Sequence, residues 1–493
     1  MSTFAENPIW KSLQKSVDPD VLLQQTMAGF IEACSMRYAL GLDKERWKPG
    51  KALKLLLAGY VGTRNTGADV RVEEMIRQFR HVIGDDNLEM SIVTTDRELS
   101  KGYFRTVRQI TLPQVFPKFL FDECPQHHGV VACEGSMYKS KFASALTCMM
   151  AGAVGMAAAE NKISVGYGAE AGYMTENLRD FVRKYNKHSL VICRNEPSRQ
   201  VLGELGIRTT AGADSAWTFE PAPLEVGADL LRKAGWDGKK KVMAVCPINP
   251  FWWPVTPDVG KAIARTFLGE YKKEHYKSIY FHTKTAENDK KYETYIAALA
   301  QATHAFCQER DFFPIMVGME KLDRGACEDV VKLLPKGAAL FISDEHRMYE
   351  MVSVLRNCST MVSSRFHAVV TSMPGLVSSG GVTMDERIRN LMNDRGQPEL
   401  FLEVDEDQLD AKVLTMMRRL DDDRDWVLEG IKRSVPRQLE LMGHMGIDFM
   451  DEVCRVYPEF PRKELPRTPW AHLPSLPPAV EAIMSGAHSG GAA

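Results

Sequence analysis

Short apolar runs alternate with longer amphipathic stretches in the first half of the chain. Five of these runs have the length and composition of buried strands. They are residues 53–58, 91–94, 129–133, 163–166 and 190–193. Helices are predicted between several of them, at residues 70–81, 141–159 and 174–185. Alternation of this kind indicates right-handed crossovers and a mainly parallel sheet.

The same alternation restarts after a charged stretch at residues 232–241, which we interpret as a surface linker. The strands predicted beyond it are residues 242–245, 278–281, 314–317, 339–342, 360–363 and 376–378. Two successive units predict an α/β protein with two doubly wound, Rossmann-like domains that face each other across a cleft. Ligands of such sheets lie beyond the carboxyl ends of the strands.

Helical segments are predicted on both sides of this core. Residues 1–50 form an N-terminal extension whose clearest helix is 21–42, and residues 51–235 and 240–404 are the two α/β domains. Residues 405–457 contain two C-terminal helices, 409–420 and 426–456, the second with a break near Pro436. The proline-rich tail, 458–493, is expected to be extended, flexible and partly disordered.

Composition excludes several classes of protein. The 493 residues are 44% hydrophobic and 26% charged, which argues against a disordered or fibrous chain. The 62 basic and 64 acidic residues nearly balance, so no general attraction to nucleic acid is expected. No signal peptide is apparent, and the uncharged stretch 143–159 is too short and too poor in leucine to span a membrane.

The ten cysteines show no CxxC spacing, which indicates reduced, mostly buried thiols in a cytoplasmic protein. Cys124, His127 and His128 are close in sequence but lack a second ligand cluster. We interpret them as part of a solvated loop, and no metal site is predicted.

A glycine-rich turn, residues 59–69, lies between a predicted strand and a helix and contains Gly62, Asn65 and Asp69. Glycines let the backbone approach a ligand, and the following helix presents free N–H groups. A tight turn without a ligand explains the pattern equally well. The segment is neither a Rossmann fingerprint nor a P-loop.

A second candidate follows the strand 360–363, where Ser363 or Ser364 is expected to cap a helix. Arg365 and His367 would then lie in its first turn. A guanidinium group binds phosphate or carboxylate in a bidentate manner, and histidine exchanges protons near neutral pH. A structural arginine and a packed histidine are the alternative.

Arg194 ends the strand 190–193 and is therefore expected to face the ligand crevice, whereas Arg199 belongs to a helix surface. Asp214, after the next short segment, is either a turn residue or an acid of the site. Both halves of the chain would thus supply cationic groups to one cleft. That arrangement suits a small, highly anionic donor.

Together these stretches resemble the polysaccharide pyruvyltransferase family over about residues 53–400. The Gly-x-x-Asn-x-Gly-Asp turn of the family is matched by Gly62, Asn65, Gly67 and Asp69 with Ala68 inserted. Its Arg-Asp-x-x-Ser element is matched by Arg194 and Ser198, with Asn195 in place of the acid. Its Arg-Leu-His element is matched by Arg365, Phe366 and His367, and this is the most specific of the three.

Two departures concern the substrate sites. The family usually has three glycines where this chain has Glu134, Gly135 and Ser136, so the floor of the acceptor site differs. A lysine usual after the last strand of the second domain is missing, so the donor pocket either relies on Arg387 or has no cation at this position.

The resemblance implies a fold similar to GT-B glycosyltransferases, with the acceptor on the first domain and the donor on the second. It implies phosphoenolpyruvate as donor, a sugar diol as acceptor, and a cyclic pyruvate ketal plus phosphate as products. Arg194 and Arg365 would hold the anionic groups of the donor, and His367 would be the general acid. Phosphate would depart beside Ser364, and no cofactor is required.

Two other functions stay open. One is a nucleotide-sugar glycosyltransferase of the same architecture, in which residues 251–254 would stack on a base or sugar. The other is a non-catalytic binding or assembly protein, suggested by Glu134 and Glu386. The expected partners are phosphoenolpyruvate and a glycan acceptor, not nucleic acid. Homo-oligomerisation and peripheral association with a membrane glycan-assembly machinery are left open.

Overall fold

The computed structural model describes residues 18–43, 45–270, 279–384 and 386–486. It begins with helix α1, Pro19–Ala39, which has proline in its first turn and Asp18 as N-cap. The Oδ1 atom of Asp18 accepts a hydrogen bond from the Asp20 N–H at 2.9 Å. This confirms the clearest helix of the N-terminal extension, while residues 1–17 lie outside the described ranges.

Seven parallel strands form the sheet of the first domain, in the order β3-β2-β1-β4-β5-β6-β7. They are β1 Leu53–Ala58, β2 Leu88–Thr94, β3 Arg108–Thr111, β4 Gly129–Ala132, β5 Ile163–Ala169, β6 Leu190–Cys193 and β7 Arg208–Ala211. The helices are α2 Thr66–Ile83, α3 Pro117–Glu123, α4 Ser144–Ala159, α5 Glu176–Tyr185, α6 Glu196–Glu204 and α7 Leu224–Lys233. All five predicted strands are present, and the two edge strands β3 and β7 are additional.

The second domain repeats this plan with a six-stranded parallel sheet in the order β12-β11-β8-β13-β14-β15. Its strands are β8 Lys241–Cys246, β11 Phe312–Gly318, β12 Ala339–Ile342, β13 Thr360–Ser363, β14 Ser378–Val382 and β15 Phe401–Leu402. Its helices are α8 Val259–Ile263, α9 Ala286–Glu309, α10 Arg324–Leu333, α11 Met348–Arg356, α12 Phe366–Ser372 and α13 Glu386–Asp394. The predicted fold class, two doubly wound Rossmann-like domains, is confirmed.

One predicted strand has a different role from the one expected. The segment predicted at 278–281 appears as β10, Tyr280–His282, outside the six-stranded sheet. It pairs antiparallel with β9, Val255–Pro257. The local apolar pattern predicted a strand correctly but could not identify its partner.

Both sheets have a switch point where the strand order reverses, between β1 and β4 and between β8 and β13. In the first sheet, Leu57 pairs with Ile92 on one side and with Val131 on the other. At a switch point, the loops after neighbouring strands diverge and leave a crevice at the carboxyl ends. The two crevices face each other and define the cleft.

The C-terminal helices are α14, Leu409–Asp422, and α15, Arg424–Val456. The predicted break near Pro436 is wrong, because α15 continues for 33 residues with Pro436 inside it. Proline removes one backbone donor, but Val435 and Leu439 beside it are fully buried. Packing against the domains therefore maintains the helix through the proline.

The predicted flexible tail is also wrong for the part that the structure describes, residues 458–486. Phe460, Leu473 and Val480 are buried, the last in helix α16, Pro478–Met484. Gln78 of the first domain donates from Nε2 to the carbonyls of Met442 and His472 at 2.8 and 3.0 Å. The tail is thus packed against α15 and the first domain, and residues 487–493 lie outside the described ranges.

The cysteines agree with the prediction of reduced thiols. All ten are free, and only Cys307 and Cys454 are partly exposed. Within the described ranges, no helix combines the length and apolar character that a membrane crossing requires.

Candidate active site

A cavity of about 480 Å³ lies between the carboxyl ends of the two sheets. Five residues predicted from the sequence line it: Asn65, Glu134, Ser364, Arg365 and Arg387. The other five predicted residues are not on its wall: Gly62, Asp69, Arg194, Asp214 and His367. The expectation that Arg194 and His367 face the ligand directly is therefore corrected.

The loop after β13 brings Arg365 to the cavity. The Ser363 hydroxyl accepts from the Arg365 N–H at 2.9 Å and donates to the Arg365 carbonyl at 2.8 Å. Arg365 itself occupies the N-cap position of α12 and makes no side-chain cap, so the predicted serine cap is wrong. The Ser364 hydroxyl lies 2.7 Å from the hydroxyl of Tyr295 in the domain core.

Two buried carboxylates hold the Arg365 guanidinium. Its Nε donates to Asp323 Oδ2 at 2.9 Å, its Nη2 donates to Asp323 Oδ1, and Nη2 also donates to Glu320 Oε2 at 2.9 Å. Burial raises the pKa of both Glu320 and Asp323, against the opposing effect of Arg365. Glu320 lines the cavity and follows the end of β11.

Glu320 also connects the second domain to the first. Tyr60 donates its hydroxyl to Glu320 Oε1 at 3.0 Å, and Asn65 Nδ2 lies 3.3 Å from Oε2. The Thr66 N–H donates to the carbonyl of Met319 at 2.8 Å. Sequence reasoning missed Glu320, Asp323 and Tyr60. The position of Glu320 just after a predicted strand was the available signal, the same one that selected Arg194.

Arg194 and His367 belong to a second cluster, centred on Asp214. The Oδ2 atom of Asp214 lies 3.0 Å from Arg71 Nε, 2.9 Å from Arg194 Nη1 and 3.2 Å from His367 Nε2. Arg194 also donates to Glu170. Burial alone raises the pKa of Asp214, but Arg71, His367 and Arg194 together lower it far below the usual range.

The His367 imidazole is enclosed as well as hydrogen-bonded. Burial lowers its pKa, and Asp214 only partly opposes that effect. A Cβ at Gly67 would lie 2.2 Å from His367 Nδ1, and one at Gly135 would lie 2.5 Å from Arg194 Nη1. Both glycines are therefore required by the close packing of this cluster, whatever their role in ligand binding.

The glycine-rich turn adopts a conformation that its sequence explains. Gly62 has a positive φ of 81° and Arg64 has one of 57°. Asn65 caps α2, because its Oδ1 accepts from the Ala68 N–H at 3.1 Å. Asp69 is buried, and burial raises its pKa to about 8, against the influence of Arg64. Asp69 is thus a neutral acid at pH 7.

The first domain and helix α13 complete the cavity. Glu134 follows β4, and its Oε1 accepts from the Ser136 N–H at 3.4 Å. The Arg387 guanidinium lies 5.4 Å from the ring centre of Phe142 and 6.0 Å from that of Phe366. Glu386 does not line the cavity but pairs with Lys139 at 2.5 Å, across the domain interface.

The remaining wall is largely apolar. It includes Leu112, Phe116, Leu146 and Met149 from the first domain and Trp253 and Ile279 from the second. The cavity thus has a charged end at the two switch points and an apolar end between the domains. An anion with a small organic part, together with a larger neutral molecule, fits such a space.

These features define a GT-B-like protein of two Rossmann-like domains with an interdomain site. A UDP-N-acetylglucosamine 2-epimerase assigned in Listeria monocytogenes has a similar structure, with a TM-score of 0.51 at 9% identity. The alignment covers 84% of this chain and 99% of that one. Another UDP-N-acetylglucosamine 2-epimerase gives a TM-score of 0.50 at 10% identity over 85% and 99% of the two chains. At such identities, the similarity establishes the fold alone.

The family is given by the sequence of the central segment. The family model for polysaccharide pyruvyl transferase matches residues 141–373, which include Arg194, Asp214, Arg365 and His367. This segment is similar to that family, and the family implies a transferase with a glycan acceptor. The resemblance is confirmed for the elements at Arg194 and Arg365, whereas the glycine-rich turn lies outside the matched residues. No functionally curated protein matches the sequence.

Proposed function

We propose that the protein transfers the pyruvyl group of phosphoenolpyruvate to two hydroxyl groups of a sugar, forming a cyclic ketal and releasing phosphate. The observation that carries this proposal is Arg365. It lies within the segment that matches the family, and its guanidinium is on the wall of the interdomain cavity. A planar guanidinium suits the carboxylate and phosphate groups of such a donor.

The donor would bind at the charged end of the cavity. Arg365 and Arg387 are both on its wall, and the Arg387 guanidinium lies 6.0 Å from the ring centre of Phe366, the residue after Arg365. Two guanidinium groups can divide the phosphate and the carboxylate between them. Lys321, which also lines the cavity, adds a third positive charge.

The acceptor would bind against the first domain. Glu134 and Asn65 supply polar groups that can hydrogen-bond to sugar hydroxyls. Phe142 and Trp253 line the same space and contact each other edge to face, with ring centres 5.3 Å apart. Aromatic side chains suit the apolar faces of sugar rings. Glu134 is also placed to accept a proton from an attacking hydroxyl.

The proposed transfer takes place in two steps. One hydroxyl adds to C2 of the donor while the methylene carbon C3 takes up a proton and becomes a methyl group. The second hydroxyl then displaces phosphate at C2, which closes the ketal ring. In the net reaction, the two hydroxyl protons balance the new methyl hydrogen and the proton of the released hydrogen phosphate.

Arg194 and His367 would act as positioning residues. The Arg194 guanidinium lies 5.0 Å from the ring centre of Phe366, the residue that follows Arg365. His367 is held to Asp214, which also binds Arg194. A general-acid role for His367, expected from the family resemblance, is not supported by its position away from the cavity wall. We propose instead that His367 stabilises α12, the helix that has Arg365 at its N-cap position.

A thermal-shift comparison tests the donor. Ligand at 100 times its dissociation constant stabilises a protein by about 2.7 kcal/mol. We expect phosphoenolpyruvate to raise the melting temperature of the wild type, and UDP-glucose to have no effect. Arg387→Ala should lose the response, whereas Arg389→Ala, on the exposed side of the same helix, should keep it. Stabilisation by UDP-glucose alone would contradict the proposal.

A further inference from the structure

Glu320 occupies an unusual position for an anion site. It is 3% exposed, lines the cavity, and shares the guanidinium of Arg365 with Asp323. Arg365 carries one positive charge and faces two carboxylates. The groups facing Glu320 from the elements packed against it are Tyr60, Asp69, Asp323 and Arg365.

An anion that binds to Arg365 also approaches Glu320 and Asp323, and each of these two carboxylates repels it when ionised. Two like charges 4 Å apart repel each other by about 4 kcal/mol at an effective dielectric constant of 20. Binding is stronger if one of the two carboxylates gives up its charge. The least costly way to do this is protonation, because burial already favours the neutral form of both acids.

The contacts distinguish the two acids. Asp323 receives two hydrogen bonds from Arg365 and a third from the Glu320 N–H at 3.1 Å, and it does not line the cavity. Glu320 receives a single hydrogen bond from Arg365 and is on the cavity wall. Its Oε1 lies 3.0 Å from the Tyr60 hydroxyl, an oxygen that can accept a hydrogen bond once Glu320 is protonated. Asp69 is already neutral and is not on the wall.

We propose that Glu320 takes up one proton when an anion binds to Arg365, so that anion binding and protonation of this residue are coupled. The identity of the natural anion rests on the proposed function, but the coupling does not. In the proposed transfer, the proton on Glu320 passes to C3 of the donor, which becomes the methyl carbon, and Glu320 returns to the carboxylate. The proton of the attacking hydroxyl leaves to the solvent through Glu134, and Glu320 takes up its next proton from the solvent when the next donor molecule binds.

Isothermal titration calorimetry measures this coupling. Phosphoenolpyruvate and inorganic phosphate are titrated at pH 7.5 in two buffers that differ in ionisation enthalpy. The wild type should take up about one proton per anion, and its affinity should fall about tenfold per pH unit at alkaline pH. Glu320→Gln should bind both anions more tightly than the wild type at pH 8, with no proton uptake. Glu98→Gln, which alters another acid of the cavity, should retain the uptake.

A second variant keeps the test valid if Glu320→Gln fails to fold. The Tyr60 hydroxyl lowers the pKa of Glu320. Tyr60→Phe should therefore shift the loss of anion affinity to a higher pH. Proton uptake that persists in Glu320→Gln, or that disappears only in Asp323→Asn, would overturn the proposal, as would an absence of uptake in the wild type.

The titrations with the two anions also distinguish a failure of the proton coupling at Glu320 from a failure of the donor assignment. If phosphate binds with Glu320-dependent uptake and phosphoenolpyruvate does not bind, the donor assignment fails and the coupling stands. If phosphoenolpyruvate binds without uptake, the coupling fails and the donor assignment stands. If neither anion binds to the wild type or to Glu320→Gln, the coupling is overturned.

Discussion

The Nε2 atom of His367 lies 3.2 Å from Oδ2 of Asp214, a contact that joins the second domain to the first. The same carboxylate oxygen accepts a hydrogen bond from Arg194 and lies 3.0 Å from Arg71 Nε, so one buried acid compensates two guanidinium groups. Removing one partner of a buried ion pair costs much more than removing a surface pair, because the other charge is left without compensation.

Asp214→Asn should therefore destabilise the protein by about 3–5 kcal/mol at pH 7. Because the pKa of Asp214 is lowered only in the folded state, its contribution is complete above the ordinary carboxyl pKa of the unfolded chain, near 3.8, so the difference should persist at pH 5 and decline below about pH 4. Urea unfolding measures it. Asp180→Asn, which breaks an exposed pair with Arg183, is the control and should cost less than about 1 kcal/mol. A loss below that level for Asp214→Asn would contradict the role of this cluster.

Arg365→Ala should destabilise the protein as well as prevent donor binding. It leaves Glu320 and Asp323 buried without their cation, at a cost of about 3–5 kcal/mol near pH 8. The cost should shrink towards pH 5, because acids with a raised pKa become protonated as the pH falls. Denaturant unfolding at the two pH values gives the comparison.

Arg324→Ala is the matched control for this variant. Arg324 is the first residue of α10 and pairs with Asp344 and Glu345 at the surface. Its removal should cost less than about 1 kcal/mol, with little dependence on pH. If Arg365→Ala were equally mild at pH 8, the buried charge cluster would not have the energetic role described.

Asp69→Asn should change how stability depends on pH. The pKa of Asp69 is about 8 in the folded protein and has its ordinary value, near 3.8, in the unfolded chain. Between these pH values, the folded state therefore holds one proton more than the unfolded chain. As the pH rises through this range, Asp69 alone lowers the stability of the wild type by about 1.4 kcal/mol per pH unit. The variant lacks this slope, so its advantage over the wild type should grow from pH 5 to pH 7.5. Asp86→Asn, at an exposed site, should leave the slope unchanged. Parallel curves for Asp69→Asn and wild type would be inconsistent with a neutral Asp69.

Gly443→Ala should loosen the packed tail. A Cβ at this position of α15 would lie 2.2 Å from the carbonyl oxygen of Pro469, a backbone atom. Overpacking of this kind costs about 1–3 kcal/mol, which thermal unfolding would detect. Gly29→Ala is the control, because nothing lies within 4 Å of its Cβ in α1. That substitution should stabilise the helix by up to about 1 kcal/mol. Equal melting temperatures for the two variants would contradict the docking of residues 458–486.

Buried parallel strands were the part of the fold that the sequence predicted best. Strands covered on both faces are continuous apolar runs, and the run 53–58 coincides with β1. The edge strands Arg108–Thr111 and Arg208–Ala211 are partly exposed and polar, so they lack this pattern. The continuity of α15 through Pro436 and the docked tail both depend on tertiary contacts, which no local pattern contains.

Only some residues of the cavity were predicted, because the others carry no local signal in the sequence. Arg365 belongs to a motif and follows a strand, and both signals are local. Glu320 and Asp323 belong to no motif, and their pairing with Arg365 joins residues more than 40 positions apart. His367 was placed in the correct helix, but its direction is set by Gly67 and Asp214 of the other domain. The orientation of a side chain at a domain interface cannot be predicted from one strand–helix unit.

We propose that the protein transfers a pyruvyl group from phosphoenolpyruvate to a glycan in the cavity beside Arg365. Mass spectrometry of a glycan mixture incubated with the protein and phosphoenolpyruvate tests it most directly, with released phosphate measured in parallel. We expect one glycan to gain the mass of a pyruvyl ketal, with one phosphate released per group added, and neither product with Arg365→Lys. Glycans of unchanged mass across a broad mixture, or phosphate released equally by Arg365→Lys, would contradict the account.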